Sequence, residues 1–153
     1  MKIRIEIDEF ADEDEVIIKC RELNNNIKKI QQSIMQYSTS VNLNFFKDNT
    51  EYYIPISSVL FFEASEREIT AHTADDLYRI KNKLYELEKI LPCNFVRVSK
   101  SAILNIDHIY SVEKNITSAS LVKFNKSHKQ LYVSRNYYKN LKQRLDERRT
   151  YET

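Results

Sequence analysis

Ile3, Ile5 and Ile7 alternate with Arg4, Glu6 and Asp8, and this period of two predicts a half-buried strand. Val16-Ile17-Ile18, within residues 15–20, predicts a second strand. The period then lengthens: Leu23, Ile27, Ile30, Ile34 and Tyr37 recur every three or four residues, the stripe of an amphipathic helix over residues 22–37. Residues 1–40 therefore read as a β-β-α extension. Such a unit is too small to stand alone, so its apolar faces must dock on the rest of the chain or on another copy. Thr39 to Asn42 is the predicted junction with a second unit, residues 41–153.

Beyond the junction the periods are short. Apolar runs on both sides of Lys47-Asp48-Asn49-Thr50 predict a hairpin, and Pro55 stops its second strand. Leu60 to Ala64 predicts a central strand, Ser65 to Glu68 a polar tip carrying Arg67, and Ile69 to Thr73 the return. Leu77 to Ile80 is a further short strand; Leu84, Leu87, Ile90 and Leu91 space as a helix that Pro92 ends. The stretch Phe95 to Asn105 is the most informative. Its apolar runs flank Ser99-Lys100-Ser101, a polar break with a cation at its tip, and Arg97 alternates to the face opposite Val96 and Val98. Strands over 108–112, 119–124 and 131–133 follow. Lys126 and Lys129 bracket the tip between the last two, and Ser134-Arg135 ends the last strand just before a closing helix marked by Tyr138, Leu141 and Leu145.

Composition narrows the function. The 153 residues are 42% hydrophobic, enough for one cored domain with a small extension. No apolar run is long enough to span a membrane, and Met1-Lys2 leads into no signal-peptide core, so a cytoplasmic protein is expected. The chain contains no glycine, which removes Walker and dinucleotide-binding loops. Left-handed turn positions must then fall to other residues, with Asp48-Asn49, Asn94, Asn115 and Asn125 as candidates. Cys20 and Cys93 lack paired spacing and are expected as buried thiols. His72, His108 and His128 are not spaced as metal ligands, and no catalytic cluster is visible, so neither an enzyme nor a metal, cofactor or small-molecule site is expected. The ten tyrosines serve either as ordinary strand positions or as stacking platforms for single-stranded nucleic acid.

Charge is distributed unevenly. Residues 1–40 carry six Lys/Arg and eight Asp/Glu (−2), residues 41–94 six and nine (−3), and residues 95–153 twelve and five (+7). A basic final third marks a polyanion-binding face. A soluble basic helix accounts for part of it, but not for Arg97, Lys100, Lys126, Lys129 and Arg135 gathering near strand ends.

The ordered series FVRVSKSAILN, HIYSVEKN, ASLVKF and LYVSRNYYKNLKQRL resembles the LytTR family of bacterial DNA-binding domains. The resemblance is carried by Phe95, Arg97, Val98, Ser101, Ile103, Asn105, Ile109, Ser134 and Arg135, and VLFFEAS resembles the family's strand before its first DNA-facing loop. It covers about residues 41–145. At Ser99-Lys100 the chain departs from the family, where His with Arg or Asn is frequent. The resemblance implies an α+β, mainly β fold: an elongated set of small antiparallel sheets with short helices, to which the β-β-α extension is added. It implies a transcriptional regulator whose strand-end loops enter successive major grooves of double-stranded DNA. Arg67, Lys100 and Arg135 correspond to base-facing positions, Ser99, Ser101 and Ser134 suit phosphate, Lys126 and Lys129 steer, and Arg97 is the ninth expected DNA-binding residue. A homodimer on repeated half-sites is expected, with no receiver domain and with a small membrane protein as a further partner. The alternatives are a protein-interaction module of the same fold that no longer reads DNA, and a single-strand or RNA binder using the tyrosines.

Overall fold

The computed structural model describes residues 1–12, 14–38 and 41–152, and gives backbone only for residues 36–38 and 149–152. The predicted Thr39–Asn42 junction and the Tyr37 side chain thus fall partly or wholly outside the described residues.

Among the described residues, ten strands form two antiparallel sheets. Strands β1 (Phe45–Lys47), β2 (Thr50–Tyr52), β3 (Phe61–Ala64), β4 (Ile69–His72), β5 (Leu77–Ile80), β6 (Phe95–Ser99) and β7 (Ala102–Asn105) make a seven-stranded sheet in the order β2-β1-β5-β4-β3-β7-β6. Strands β8 (Ile109–Glu113), β9 (Ser120–Phe124) and β10 (Gln130–Val133) make a three-stranded meander. Helices α1 (Asn25–Ser38), α2 (Leu84–Ile90) and α3 (Arg135–Glu152) complete the chain.

Strand alternation explains the layering. Successive side chains point to opposite faces, so a strand covered on both sides is apolar throughout. All four residues of β7 are buried for this reason. Ala102 and Leu104 face a core shared with β9, β10 and α3, beside Phe61, Val96 and Val98. Ile103 faces a second core beneath α2, beside Phe62, Phe95, Leu84 and Leu87. Phe61 and Phe62, adjacent in β3, are split between the two cores in the same way.

Asn105 is, with Ser120, one of two polar residues buried among the described residues, and it has 1% exposure. Its amide donates to the Val59 carbonyl at 3.2 Å, and its Oδ1 accepts from the Asp107 N–H and from Asn94 Nδ2, each at 3.0 Å. The side chain thereby ties the end of β7 to the turn before β3 and starts the short 3-10 turn that leads into β8.

Four expectations need correction. Residues 3–7 and 15–20 form no strand: Ile3, Ile5 and Ile7 are 83%, 83% and 90% exposed. Alternation only makes a strand possible, and an isolated strand pair without a covered face is marginal. The helix of the extension does form, and it begins later than residue 22 because Asn24 Oδ1 accepts the Ile27 N–H at 3.0 Å and caps it. Left-handed backbone occurs at Asp48 (φ 55°) and at Lys126 (φ 56°), not at the neighbouring Asn125. Both cysteines are free, but exposed rather than buried.

Replacing Asn105 with leucine orphans the Val59 carbonyl and the Asp107 N–H. The variant should lose about 1–3 kcal/mol for each group left buried, seen as a lower urea midpoint at unchanged slope.

Candidate nucleic-acid interface

The pairing of β3 with β7 brings two polar turns side by side. Glu63 pairs with Ala102, and the Ala64 N–H donates to the Ser101 carbonyl at 2.7 Å. The β3–β4 turn, Ser65 to Glu68, therefore lies next to the β6–β7 turn, Ser99 to Ser101. A third element joins them where the Ser134 N–H donates to the Val98 carbonyl at 2.9 Å. That bond sets the start of α3, and Arg135, beside the same turn. Arg67, Lys100 and Arg135 are thus gathered at one end of the sheet, all exposed and all without an ion pair or side-chain hydrogen bond among the described residues.

The turns beneath these cations are braced. The Ser65 N–H and hydroxyl both donate to the Glu68 carbonyl, at 2.9 and 3.2 Å. Ser99 Oγ accepts the Ser101 N–H at 3.1 Å and lies 3.3 Å from Ser101 Oγ. Arg97 is different from the other cations. Its Nε donates to the Ser99 carbonyl at 2.6 Å, one terminal nitrogen to the Lys100 carbonyl, and the other to Glu88 of α2 at 3.0 Å. Its side chain is 19% exposed. The guanidinium holds the turn from behind rather than projecting from it. A register shift between Arg97 and Ser99 accompanies this, as a bulge that re-aims the strand end.

Lys126 and Lys129 lie elsewhere. The β9–β10 turn packs on the β4–β5 turn, where Ser127 Oγ donates to the Ala74 carbonyl at 3.0 Å. That turn leaves the His72 end of β4, the end opposite Ile69 and Ala64. Lys129 Nζ donates to the Asp76 carbonyl and, at 3.4 Å, to His72 Nδ1. Burial pulls its pKa below the ordinary lysine value, opposed by the carboxylates of Asp76 and Asp75. Lys126 is exposed on its left-handed turn. The nine residues expected at the site are therefore not one cluster: Arg67, Ser99, Lys100, Ser101, Ser134 and Arg135 come together over Arg97, and Lys126 and Lys129 do not join them.

Comparison with known proteins bears on what this end does. The family model for the LytTr DNA-binding domain matches residues 49–146. The chain belongs to the LytTR family. An uncharacterized HTH-type transcriptional regulator of Staphylococcus aureus (strain NCTC 8325 / PS 47) is 32% identical over 147 residues, spanning 95% of this chain and 98% of that one. The corresponding protein of strain COL matches to the same extent. The solved structure of a LytTr DNA-binding domain from Bacillus cereus superposes with a TM-score of 0.63 at 22% identity, covering 69% of this chain and 98% of that domain. The fold and the DNA-binding class of the domain are thereby shared. The relatives' helix-turn-helix label has no counterpart here: among the described residues, no two helices are joined by a short turn, and five strands separate α2 from α3.

The LytTr domain also presents a loop that strand patterns did not single out. Glu113 pairs with Leu121, and Val133 with Ser120, so the β8–β9 loop emerges at the Ser134 end. Its Lys114 sits over the Tyr138 ring of α3, 5.3 Å from the centroid. Asn115 accepts from the N–H and hydroxyl of Thr117, at 3.1 and 3.2 Å, and keeps the loop compact. The polar run Lys114-Asn115 and Thr117-Ser118 between two apolar segments was the available signal. No helix in the described residues is long and apolar enough to cross a membrane, and no cluster of metal-ligating residues occurs among them.

At the opposite end, His72 stacks on Phe61 with ring centroids 4.2 Å apart. Burial, aided by the Lys129 charge, lowers its pKa from 6.5 to about 4. The imidazole is neutral at pH 7, so Glu63, 3.6 Å from Nε2, is not its ion-pair partner there. In the unfolded chain His72 takes up its proton near pH 6.5, earlier than in the folded state. Its contribution therefore destabilises the fold progressively as pH falls from 6.5 to about 4 and levels off below. His72→Phe keeps the stack and removes the titration, so its Tm should fall less than the parent's across that window.

Proposed function

We propose that the end of the sheet bearing Arg67, Lys100 and Arg135 binds duplex DNA, its turns entering successive major grooves, and that the chain acts as a transcriptional regulator. The reading rests on three exposed, unpaired cations raised on adjacent braced turns, in a domain of the LytTR family. Arginine reads guanine O6 and N7 through two parallel bonds, and Arg135 is placed for this at the start of a helix whose first N–H groups favour phosphate. Lys100 supplies a point charge in the central groove contact. Ser99, Ser101 and Ser134 lie close enough to these tips to fix register on phosphates. Glu66 and Glu68 flank Arg67, so phosphate attraction falls mainly to Lys100, Lys114 and Arg135.

The division of roles departs from a uniform basic face. Arg97 positions the Ser99-Lys100 turn and makes no DNA contact of its own. Lys126 and Lys129 contribute at most to long-range steering, because they sit at the other end of the strands. Two copies bound to repeated half-sites would place two such ends on one face of the duplex, multiplying a modest single-copy specificity.

The decisive comparison uses fluorescence anisotropy on a duplex selected from a random pool and on its shuffled counterpart. Arg135→Ala should lose about 1–3 kcal/mol of discrimination between the two, with folding intact. Lys126→Asn removes a charge at a left-handed position that asparagine tolerates, and should preserve the discrimination. Equal losses in both variants would contradict the assignment of the DNA-facing end, and absence of binding even at low salt would favour the protein-interaction reading of the fold.

A further inference from the structure

Residues 1–8 are unaccounted for by the LytTr domain. Ile3, Ile5 and Ile7 expose most of their surface, and no backbone hydrogen bond joins residues 1–7 to the other described residues. The charges between the isoleucines are ordered: Lys2 and Arg4 precede Ile5, and Glu6 and Asp8 follow it. This order inverts about Ile5. Laid antiparallel on its own copy with Ile5 at the centre, the segment sets Lys2 opposite Asp8, Arg4 opposite Glu6, Ile3 opposite Ile7, and Ile5 opposite itself. Every charged cross-strand pair is then of opposite sign, and every apolar pair is on one face. Other arrangements are penalised. A parallel in-register pair sets Arg4 on Arg4 and Glu6 on Glu6; a two-residue slip of the antiparallel pair sets one of these on itself; a one-residue slip puts charge on the isoleucine face.

We propose that two copies of this chain associate through this segment, as antiparallel strands crossing at Ile5. Within one chain Arg4 and Glu6 meet at 3.0 Å with side chains 81% and 73% exposed, an arrangement readily exchanged for the same pairing across two chains. The paired isoleucine face also needs a cover, and this chain supplies apolar residues for it: Val16 and Ile17, 64% and 66% exposed, and the half-buried stripe Ile27, Ile30 and Ile34 of α1. The self-complementary charge order selects a second copy over an unrelated partner. The inference deepens the two-copy part of the proposed function and rests on that part alone, not on which turns face DNA.

Association is tested without DNA, so its failure and failure of the DNA reading are distinguishable. Light scattering of the full chain at micromolar concentration should give twice the 18.3 kDa chain mass. Arg4→Glu alone and Glu6→Arg alone should each shift toward the monomer, and mixing the two variants should restore the dimer, since each then carries the charges the other needs. Register is read by cross-linking in a Cys20→Ser, Cys93→Ser background: Ile5→Cys should form a disulfide dimer on oxidation, and Ile3→Cys should do so only when mixed with Ile7→Cys. A monomeric parent overturns the proposal, as does a dimer that is indifferent to both single charge reversals or in which Ile3→Cys cross-links to itself as readily as Ile5→Cys.

Discussion

The candidate interface depends on the seam where the three-stranded sheet and α3 close over the edge of the seven-stranded one. Val98, Val133 and Leu141 meet there with no exposure, and the Val98 carbonyl accepts the Ser134 N–H. Burial of these side chains is non-directional and sets only that the layers touch. The single backbone bond at the bulge adds direction: it fixes where α3 starts relative to the Ser99–Ser101 turn. With β3 already bonded to β7, three separate pieces of chain are held at one end of the fold without the side chains of Arg67, Lys100 or Arg135 being consumed.

Polar groups within the fold divide accordingly between support and display. Asn105 and Arg97 each satisfy several partners from behind the surface, one in the core and one beneath the turn. Lys129, though a cation near a strand end, is spent on the Asp76 carbonyl and the neutral His72 ring. Arg67, Lys100 and Arg135 are left outward at the gathered end, beside Lys114 of the β8–β9 loop. Under the proposed function, this separation is what would let the domain meet a groove with turns rather than with an inserted helix.

Much of this was legible in the sequence. The run Phe95 to Asn105 announced a hairpin with a cationic tip, Pro55 and Pro92 fell just past element ends, and the strands other than the exposed β2, Thr50-Glu51-Tyr52, coincided with apolar runs. What local pattern could not show was which ends meet. Lys126 and Arg135 lie at opposite ends of β10, and only the β3–β7 register and the Ser134–Val98 bond show that Arg135, not Lys126, joins the Arg67 and Lys100 turns. The β8–β9 loop was overlooked for the same reason. The N-terminal isoleucines failed differently: their alternation is genuine, but within one chain no edge pairs with them.

The most direct test is an amide NMR titration of the intact chain with a duplex carrying its selected site. The account predicts that the largest shifts cluster at residues 65–68, 99–101, 114–118 and 134–139, and that residues 73–76 and 126–129 stay nearly unmoved. Shifts concentrated at the Lys126–Lys129 end, with the Lys100 and Arg135 turns unaffected, would contradict it.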